Sequence, residues 1–196
     1  MKPGRRLATA VTLTVAVLLG AAACGAGRGR PSLSAAPATA TLPGGVDVAV
    51  KRVVDGDTIE VAGGERVRLI GMDTPETVDP NRPAGCYGKE ASRFTSSLLP
   101  PGTIVRMVGD VEQRDRYGRL LAYVYRRSDG LFVNAELLRR GFAQVLTIPP
   151  NVAHTDEFAA IARQAREASQ GLWGACQLLA DGKVAPASSP GKGGGG

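Results

Sequence analysis

The sequence predicts an α+β domain in which five strands form a small, partly open barrel of the OB type, with three helices packed at one side. The first half of the domain carries the alternation of apolar residues that is typical of strands. The second half carries apolar residues at helical spacing, in segments that glycine or proline ends. Between the two glycine-rich ends lie about 130 residues, which is the usual size of a single domain.

Five segments are predicted as strands because apolar and β-branched residues alternate or cluster in them. Gly63 and Gly64 separate the second strand from the third and indicate a hairpin. Asp115–Gly118 indicates a turn before the fifth strand. The five segments are Val46–Val54, Thr58–Val61, Glu65–Ile70, Thr103–Val108 and Leu120–Tyr125.

Three helices are predicted from apolar residues three or four positions apart. The first ends at Pro100, the second at Gly141 and the third at Gly171. Asp156 and Glu157 fit the first turn of the third helix, because carboxylates are stabilised at the positive end of the helix dipole. The apolar positions are Tyr87, Ala91, Phe94 and Leu98 in the first, Leu137 and Leu138 within Asn134–Arg140 in the second, and Phe158, Ile161, Ala162 and Ala165 in the third.

The N-terminal residues 1–23 have the pattern of an export signal. Basic residues within Met1–Arg6 precede an uncharged run, Leu7–Ala23, which is shorter than the ~20 residues that a membrane-spanning helix needs. Cys24 follows three alanines, which resembles the lipid-attachment motif of bacterial lipoproteins. We therefore expect an exported protein that is either anchored to the cell membrane through a lipid on Cys24 or cleaved and secreted.

Two further segments flank the domain and are predicted to remain flexible. Residues 24–45 are rich in Gly, Ala, Pro, Ser and Thr, as in a tether. Residues 180–196 end in GKGGGG and have the composition of a disordered tail. The domain itself is predicted to span residues 46–179.

The charge balance is compatible with a polyanionic partner but does not indicate one by itself. The chain has 24 basic and 18 acidic residues, a net charge of +6. Loss of the three basic residues of the signal leaves 21 basic residues and a net charge of +3. Four arginines are candidates for a basic rim or for an ordinary solvated face: Arg126, Arg127, Arg139 and Arg140.

Two cysteines remain once Cys24 is assigned to the lipid. In an exported protein, Cys86 and Cys176 favour one disulfide, and two buried thiols are the alternative. Metal binding by cysteine is disfavoured, because the two residues are isolated and His154 is the one histidine of the chain.

Acidic residues cluster where predicted strands end. Asp55 and Asp57 flank Gly56, and Asp73 follows the third strand, so a hard cation such as Ca²⁺ has candidate oxygen ligands here. The ordinary explanation of Asp-Gly-Asp is a turn between two strands. Glu76 follows a proline that fixes the backbone, and it is a candidate general base or an exposed turn residue.

Two arginines are candidates for binding a phosphate. Arg68 interrupts an apolar strand and could clamp a phosphate with two parallel hydrogen bonds, or it could face the solvent. Arg119 follows Gly118 at the start of a strand, where a surface turn residue is the alternative.

The joint order of these motifs is more specific than any one of them. DGDT, then R-x-x-x-x-D-T-P-E, then YGR, then V-N-x-x-L-x-x-x-G resembles the staphylococcal nuclease (thermonuclease) family. The resemblance extends from Val46 to about Trp173 and implies a five-stranded OB barrel with three helices. It also implies hydrolysis of DNA and RNA with Ca²⁺, which leaves 3′-phosphate ends.

The resemblance further implies a metal site. Asp57 and Asp73 match the family's calcium carboxylates, and Thr74 matches the residue whose backbone carbonyl binds the ion. Asp55 takes the neighbouring outer position.

The resemblance also implies the catalytic residues. Arg68 and Arg119 match the two arginines that contact the scissile phosphate, and Glu76 matches the glutamate assigned to activate the attacking water. One segment departs from the family, because Gln144–Asn151 lacks the two tyrosines that commonly line the nucleotide pocket. Its aliphatic residues Leu146 and Ile148 are then candidates for holding the base.

We therefore expect a monomeric, exported, calcium-dependent nuclease that acts on DNA and RNA, with single strands preferred. The alternative is a catalytically weak nucleic-acid-binding or protein-interaction module on the same barrel, which the missing tyrosines favour. The retained Arg68 and Glu76 argue against that alternative. A structural spacer is a third possibility, which the concentration of polar residues in two motifs disfavours.

Overall fold

A computed structural model describes residues 42–77, 84–180 and 184–186 of the chain. Within these residues four strands precede the first helix, and strands and helices are mixed after it. The elements are β1 (Val46–Asp55), β2 (Thr58–Val61), β3 (Arg66–Leu69), β4 (Gly71–Asp73), α1 (Gly88–Leu98), β5 (Ile104–Val108), β6 (Leu120–Arg126), α2 (Val133–Arg139), β7 (Gln144–Leu146), α3 (Thr155–Glu167), α4 (Leu172–Ala175), β8 (Cys176–Leu178) and β9 (Val184–Pro186).

Five strands close into a barrel in the order β1-β2-β3-β6-β5, which confirms the predicted α+β fold with a five-stranded OB-type barrel. The pairs are antiparallel except β3 with β6, which run parallel. The prediction of a partly open barrel is wrong, because β1 pairs with β2 and also with β5. Irregular register between Val50 and Arg52 and between Val53 and Asp55 bends this ten-residue strand enough to join both neighbours.

The barrel encloses one apolar core that the helices extend. The strands contribute alternate side chains such as Ile59, Val67 and Val105, which are fully buried. Leu137 and Leu138 of α2 are also fully buried, so this short helix packs directly on the barrel. The strands β1, β3 and β4, whose ends carry the candidate site residues, are therefore anchored by this core.

The predicted third strand, Glu65–Ile70, corresponds to β3 to within one residue at each end. β4 follows after Ile70 and pairs separately with β7, matching Met72 with Val145 and Gly71 with Leu146. This additional pair of short strands was not predicted. The pairing brings the residues after β4 next to the aromatic-poor segment.

The three predicted helices are present, and a short fourth helix follows them. The third helix ends at Glu167, not at Gly171, and Gly171 instead precedes α4. Leu172 of α4 is fully buried and its amide donates to the Gly141 carbonyl at 2.8 Å. This contact docks the C-terminal segment on the end of α2.

The boundaries of the domain differ from those predicted. Before β1, the Pro43 carbonyl accepts a hydrogen bond from Arg106 at 3.1 Å, so ordered chain begins within the predicted tether. After α4, β8 pairs with β9, so the prediction of a disordered tail is wrong for Val184–Pro186. The reason is that β8 begins at Cys176, which is covalently fixed and offers an open strand edge. The export signal, Cys24 and the rest of the tail lie outside the described residues.

The two cysteines of the domain are bonded to each other. The Cys86 and Cys176 sulfurs form a disulfide that joins the segment before α1 to the segment after α4. In the described part of the chain, no helix has both the length and the apolar composition that crossing a membrane requires.

Candidate active site

The Asp-Gly-Asp turn lies between β1 and β2 and is held from two sides. Thr95 of α1 donates its hydroxyl to the Gly56 carbonyl at 2.6 Å. A Cβ at Gly56 would lie 2.6 Å from Thr74 Oγ1, so a side chain there would displace Thr74. Glycine is therefore required by the close approach of the two segments that carry Asp57 and Thr74.

Asp57 is buried and accepts hydrogen bonds from two segments. The Thr74 amide and hydroxyl both donate to Asp57 Oδ2 at 3.0 Å, and Thr58 Oγ1 donates to Oδ1 at 3.0 Å. Asp57 and Thr74 are 7% and 4% exposed, so the carboxylate is fixed before any ligand arrives.

Arg68 connects the two candidate metal carboxylates. Its Nη2 donates to Asp73 Oδ1 at 2.5 Å, and its Nη1 lies against Asp57 Oδ2 as an ion pair. The Nη1 contact lacks hydrogen-bond geometry, because this buried atom has no hydrogen-bond partner among the described residues. Burial lowers the pKa of Arg68, while the Asp73 carboxylate opposes this effect.

The arrangement fits a hard cation. One guanidinium touches both Asp57 and Asp73, so the two carboxylates converge on one small space that already accepts positive charge. The candidate ligands are all oxygens, which Ca²⁺ prefers. Nowhere in residues 42–77, 84–180 and 184–186 do three or more His, Cys, Asp or Glu side chains form a metal-binding group, so the Thr74 carbonyl would have to complete the set.

Asp55 lies behind this centre and positions the next segment. Its Oδ1 accepts the Thr77 hydroxyl at 2.5 Å, and its Oδ2 accepts the Thr77 amide at 3.3 Å. Glu76 is exposed and its Oε1 accepts the same Thr77 amide at 3.1 Å. Asp55 is therefore connected to the Glu76 segment through Thr77, and its predicted outer position at a metal site stays a prediction.

Arg119 is held by Asp115 across the Tyr-Gly-Arg turn. Arg119 Nε donates to Asp115 Oδ2 at 2.6 Å, and the Arg119 amide donates to Oδ1 at 3.0 Å. Burial raises the pKa of Asp115, but the hydrogen bonds from Arg119 and Tyr117 outweigh this and hold the pKa below its usual value. The guanidinium carbon also lies 5.4 Å from the centre of the exposed Tyr117 ring. Arg119 is thus fixed in place as a cation.

A cleft of about 480 Å³ brings the two arginines together. Arg68 and Arg119 line it together with the carboxylates Glu112 and Asp115, and its apolar lining includes Tyr117, Leu146 and Ile148. Leu146 and Ile148 are 39% and 60% exposed, so their side chains are available to a ligand. The cleft can therefore contact a group that has an anionic part and an apolar part.

The predicted residues do not all lie in this cleft. Arg68 lines the cleft and also contacts Asp57 and Asp73. Asp57, Asp73 and Thr74 do not line the cleft themselves. Glu76 lies further along the same segment.

Two residues that position the site, Thr77 and Asp115, were not predicted from the sequence. Thr77 links Asp55 to the Glu76 segment, and Asp115 fixes Arg119. Asp115 had a usable signal, because it precedes Arg119 by four residues in a predicted turn. Thr77 had none, because its partner lies 22 positions away.

Each of the four candidate rim arginines forms an ion pair with a carboxylate. Arg126 pairs with Asp129 at 2.6 Å, and Arg127 pairs with Asp47 at 3.2 Å. Arg139 and Arg140 both pair with a carboxylate of α2, that of Glu136. Arg139 and Arg140 share one carboxylate, and Asp47 also pairs with Arg106, so the local carboxylates do not balance the charge of these arginines. A basic rim and a solvated face both stay predictions for them.

Comparison with known proteins identifies a matching family and several similar proteins. The family described as "Staphylococcal nuclease homologue" matches residues 66–175. A protein named "Thermonuclease" from Staphylococcus intermedius is 46% identical over 129 residues, which cover 64% of this chain and 73% of the relative. The "Thermonuclease" of Staphylococcus hyicus is 40% identical over 127 residues, with 63% and 73% covered. "Endonuclease YncB" of Bacillus subtilis (strain 168) is 38% identical over 132 residues, with 65% and 62% covered.

Proposed function

The chain belongs to the staphylococcal nuclease family, and from this premise we propose that it is a calcium-dependent nuclease that hydrolyses phosphodiester bonds of DNA and RNA with water. The observation that carries the proposal is the position of Arg68, which lines the cleft and touches both candidate calcium carboxylates. One side chain thus connects the phosphate site to the metal site.

The two arginines neutralise the phosphate. As phosphodiester hydrolysis proceeds, negative charge grows on the phosphoryl oxygens, and fixed cations lower the energy of that state more than the energy of the ground state. Arg68 is held by Asp73 and Arg119 by Asp115, so both cations are already at the cleft when the substrate binds. Their convergence on one cleft supports a role as a pair.

Asp57, Asp73 and the Thr74 carbonyl would hold Ca²⁺ beside the same phosphate. When bound, the ion supplies a Lewis acid that polarises a phosphoryl oxygen. The three hydrogen bonds that Asp57 accepts fix its orientation, and the exposed Asp73 is the adaptable ligand. Arg68 can then transfer its hydrogen bond from Asp73 to the phosphate.

Glu76 orients or deprotonates the attacking water. A carboxylate that acts as a general base has to be held within reach of the water, by contacts that do not neutralise it. The Thr77 amide fixes one oxygen of Glu76, and Asp55 fixes Thr77. Glu76 receives the proton that water loses as its oxygen attacks phosphorus. The bond from phosphorus to the 5′ oxygen breaks, and this leaving oxygen takes a proton from the solvent.

The apolar side of the cleft accepts the base next to the scissile phosphate. Leu146 and Ile148 provide dispersion contacts in place of aromatic stacking, and Tyr117 provides one ring. These contacts need a base that is unstacked from its neighbours, so single-stranded DNA and RNA are the preferred substrates.

We also propose that the protein is exported and acts as a monomer. The composition of residues 1–24 supports export with lipid attachment at Cys24, which would hold the nuclease at a membrane surface. Secretion without the lipid remains the alternative. A disulfide between Cys86 and Cys176 is consistent with an oxidising compartment.

The second candidate is a nucleic-acid-binding module with weak catalysis. The exposed aliphatic pair Leu146 and Ile148 favours it, because aliphatic contacts hold a base less well than aromatic stacking. Such a module would bind the phosphates of a nucleic acid through Arg68 without cleaving them.

Digestion of single-stranded DNA by the purified domain, with Ca²⁺ and with a chelator, distinguishes these candidates. The nuclease proposal expects fragments with Ca²⁺ and none with the chelator, and it expects Asp57→Asn to require far more Ca²⁺. Binding without fragments under both conditions would favour the module.

A further inference from the structure

We propose that the Cys86–Cys176 disulfide is a positioning element for Glu76, in addition to any effect that it has on stability. The proposal rests on the function proposed for Glu76 as the residue that activates water. It is carried by the contacts between the segment at Gly85–Gly88 and the segment at Pro75–Thr77.

The backbone of the Glu76 segment is in contact with the residues around Cys86. The Gly85 amide donates to the Glu76 carbonyl at 2.8 Å. A Cβ at Gly85 would lie 2.9 Å from Pro75 Cβ, and a Cβ at Gly88 would lie 2.7 Å from the Pro75 carbonyl oxygen. The two backbones are therefore in direct contact, and glycine is needed on the Cys86 side for that approach.

Cys86 is attached through its sulfur to a well-fixed part of the chain. Cys176 directly follows α4, where Leu172 is fully buried and hydrogen-bonded to the Gly141 carbonyl. The disulfide thus transmits the rigidity of α4 to Gly85, and Gly85 holds the Glu76 carbonyl.

Tyr87 adds a reason why the segment needs this support. Its φ of 69° is in the left-handed region, which non-glycine residues adopt only when their surroundings impose it. The adjacent disulfide and the stacking of Tyr87 on Phe142 at 5.3 Å restrain it, together with the hydrogen bond that the Ala91 amide donates to the Tyr87 carbonyl. Loss of the disulfide removes one of these restraints, and relaxation of Tyr87 would shift Gly85 away from Glu76.

On the other side, Glu76 is held through Thr77 and Asp55. Loss of the disulfide therefore loosens the catalytic segment from one side and leaves the metal carboxylates and both arginines in place. The expected signature is a fall in kcat with little change in KM, because substrate binding depends on the cleft.

The test compares the oxidised full chain with the double variant Cys86→Ser/Cys176→Ser on a single-stranded oligonucleotide, well below the Tm of both. Displacement of a catalytic group by about 1 Å can cost about a hundredfold. We expect kcat to fall about tenfold to a hundredfold and KM to stay within about twofold. Val105→Ala, which creates a cavity on the far strand β5, is the control for stability, and its kcat should remain unchanged even where its Tm is lower.

The Glu76→Gln background separates positioning from a general structural effect. If the disulfide acts through Glu76, its removal there should change kcat less than about twofold, because coupled changes do not add. An equal fall in both backgrounds would overturn the proposal, as would an unchanged kcat in the double variant. Wild-type activity of Glu76→Gln itself would instead overturn the proposed function.

A second measurement does not depend on the variant folding. Amide hydrogen exchange at Gly85 can be followed in the wild-type chain before and after reduction with dithiothreitol, which converts the disulfide to two thiols and is itself oxidised to a cyclic disulfide. We expect faster exchange at Gly85 after reduction, while the Leu69 amide in β3 is unaffected. Unchanged protection at Gly85 would overturn the proposal.

Discussion

Arg68 donates a hydrogen bond to Asp73 at 2.5 Å, so a phosphate-binding residue and a candidate metal ligand already form one unit. In this pair the Arg68 side chain is mostly buried, at 12% exposed, whereas the Asp73 side chain is 52% exposed. An incoming phosphate and an incoming cation can therefore each replace one partner of the pair. This exchange is the step on which the proposed mechanism depends.

Arg68→Lys tests whether the forked geometry of the guanidinium matters, and not only its charge. A lysine keeps one cation near Asp57 but cannot donate to a phosphate with two parallel hydrogen bonds. We expect kcat to fall about 10²–10³-fold, the usual cost of removing one fixed donor from a developing negative charge. Steady-state cleavage of an oligonucleotide measures it. Arg66→Lys, two residues earlier on β3 and exposed, is the matched control and should leave kcat unchanged.

Glu76→Gln tests the assignment of the base. The amide can still accept a hydrogen bond from the Thr77 amide, so the segment keeps its conformation while its basicity is lost. We expect kcat to fall about 10²–10⁴-fold, and we expect the remaining rate to lose its increase from acidic to neutral pH. A pH profile of kcat measures both. Glu90→Gln on α1 is the control, and an unchanged profile in Glu76→Gln would remove Glu76 from the mechanism.

Aromatic residues introduced at the lip of the cleft should improve substrate binding. Leu146 and Ile148 line the cleft and are exposed, so Leu146→Tyr/Ile148→Tyr adds rings on which a base can stack. Stacking on one aromatic side chain contributes about 1–3 kcal/mol per base, so KM should fall between about fivefold and a hundredfold. Val152→Tyr adds an aromatic outside the lining and should not change KM. An unchanged KM in the double variant would mean that the base does not enter this cleft.

Asp47 on β1, which pairs with Arg106 on β5, should make the free energy of unfolding depend on pH. Hydrogen bonds from Arg106 lower the pKa of Asp47 from 3.8 to about 2, with a smaller contribution from Arg127. Because the folded pKa is below the unfolded one, the stabilisation is complete above about pH 4 and is lost as the pH falls toward 2. Urea unfolding should therefore show Asp47→Asn less stable than wild type at pH 6 and equal to it near pH 2. A difference that persists at pH 2 would contradict this assignment.

The strands were predictable because their apolar alternation is local, whereas changes of partner were not. The predicted third strand ended at Ile70, and the three residues of β4 are too few to show an alternation, so β4 was not predicted. Only the pairing of Met72 with Val145, 73 positions later, makes it a strand. β9 was missed for the same reason, since its pairing depends on the fixed position of Cys176.

The site residues were predictable because charged side chains are conspicuous in an apolar strand or a tight turn. Arg68, Asp57 and Asp73 each had such a local signal, and the structure brings them into contact. The supporting contacts had no signal, because Thr77 reaches back to Asp55 and Gly85 reaches back to Glu76 through the fold. Such contacts decide how well the site is ordered, and they appear only in three dimensions.

Cleavage of single-stranded DNA in water enriched in ¹⁸O, with Ca²⁺ or with a chelator, tests whether the site breaks phosphodiester bonds with water and a metal ion. Water attack at phosphorus places one ¹⁸O atom in each newly formed phosphate end, which mass spectrometry of the fragments detects. We predict labelled 3′-phosphate fragments with Ca²⁺, far fewer from the Glu76→Gln variant, and intact DNA with the chelator. Intact DNA under every condition, or fragments whose phosphates carry no ¹⁸O, would contradict a metal-assisted hydrolytic site built on Arg68, Arg119 and Glu76.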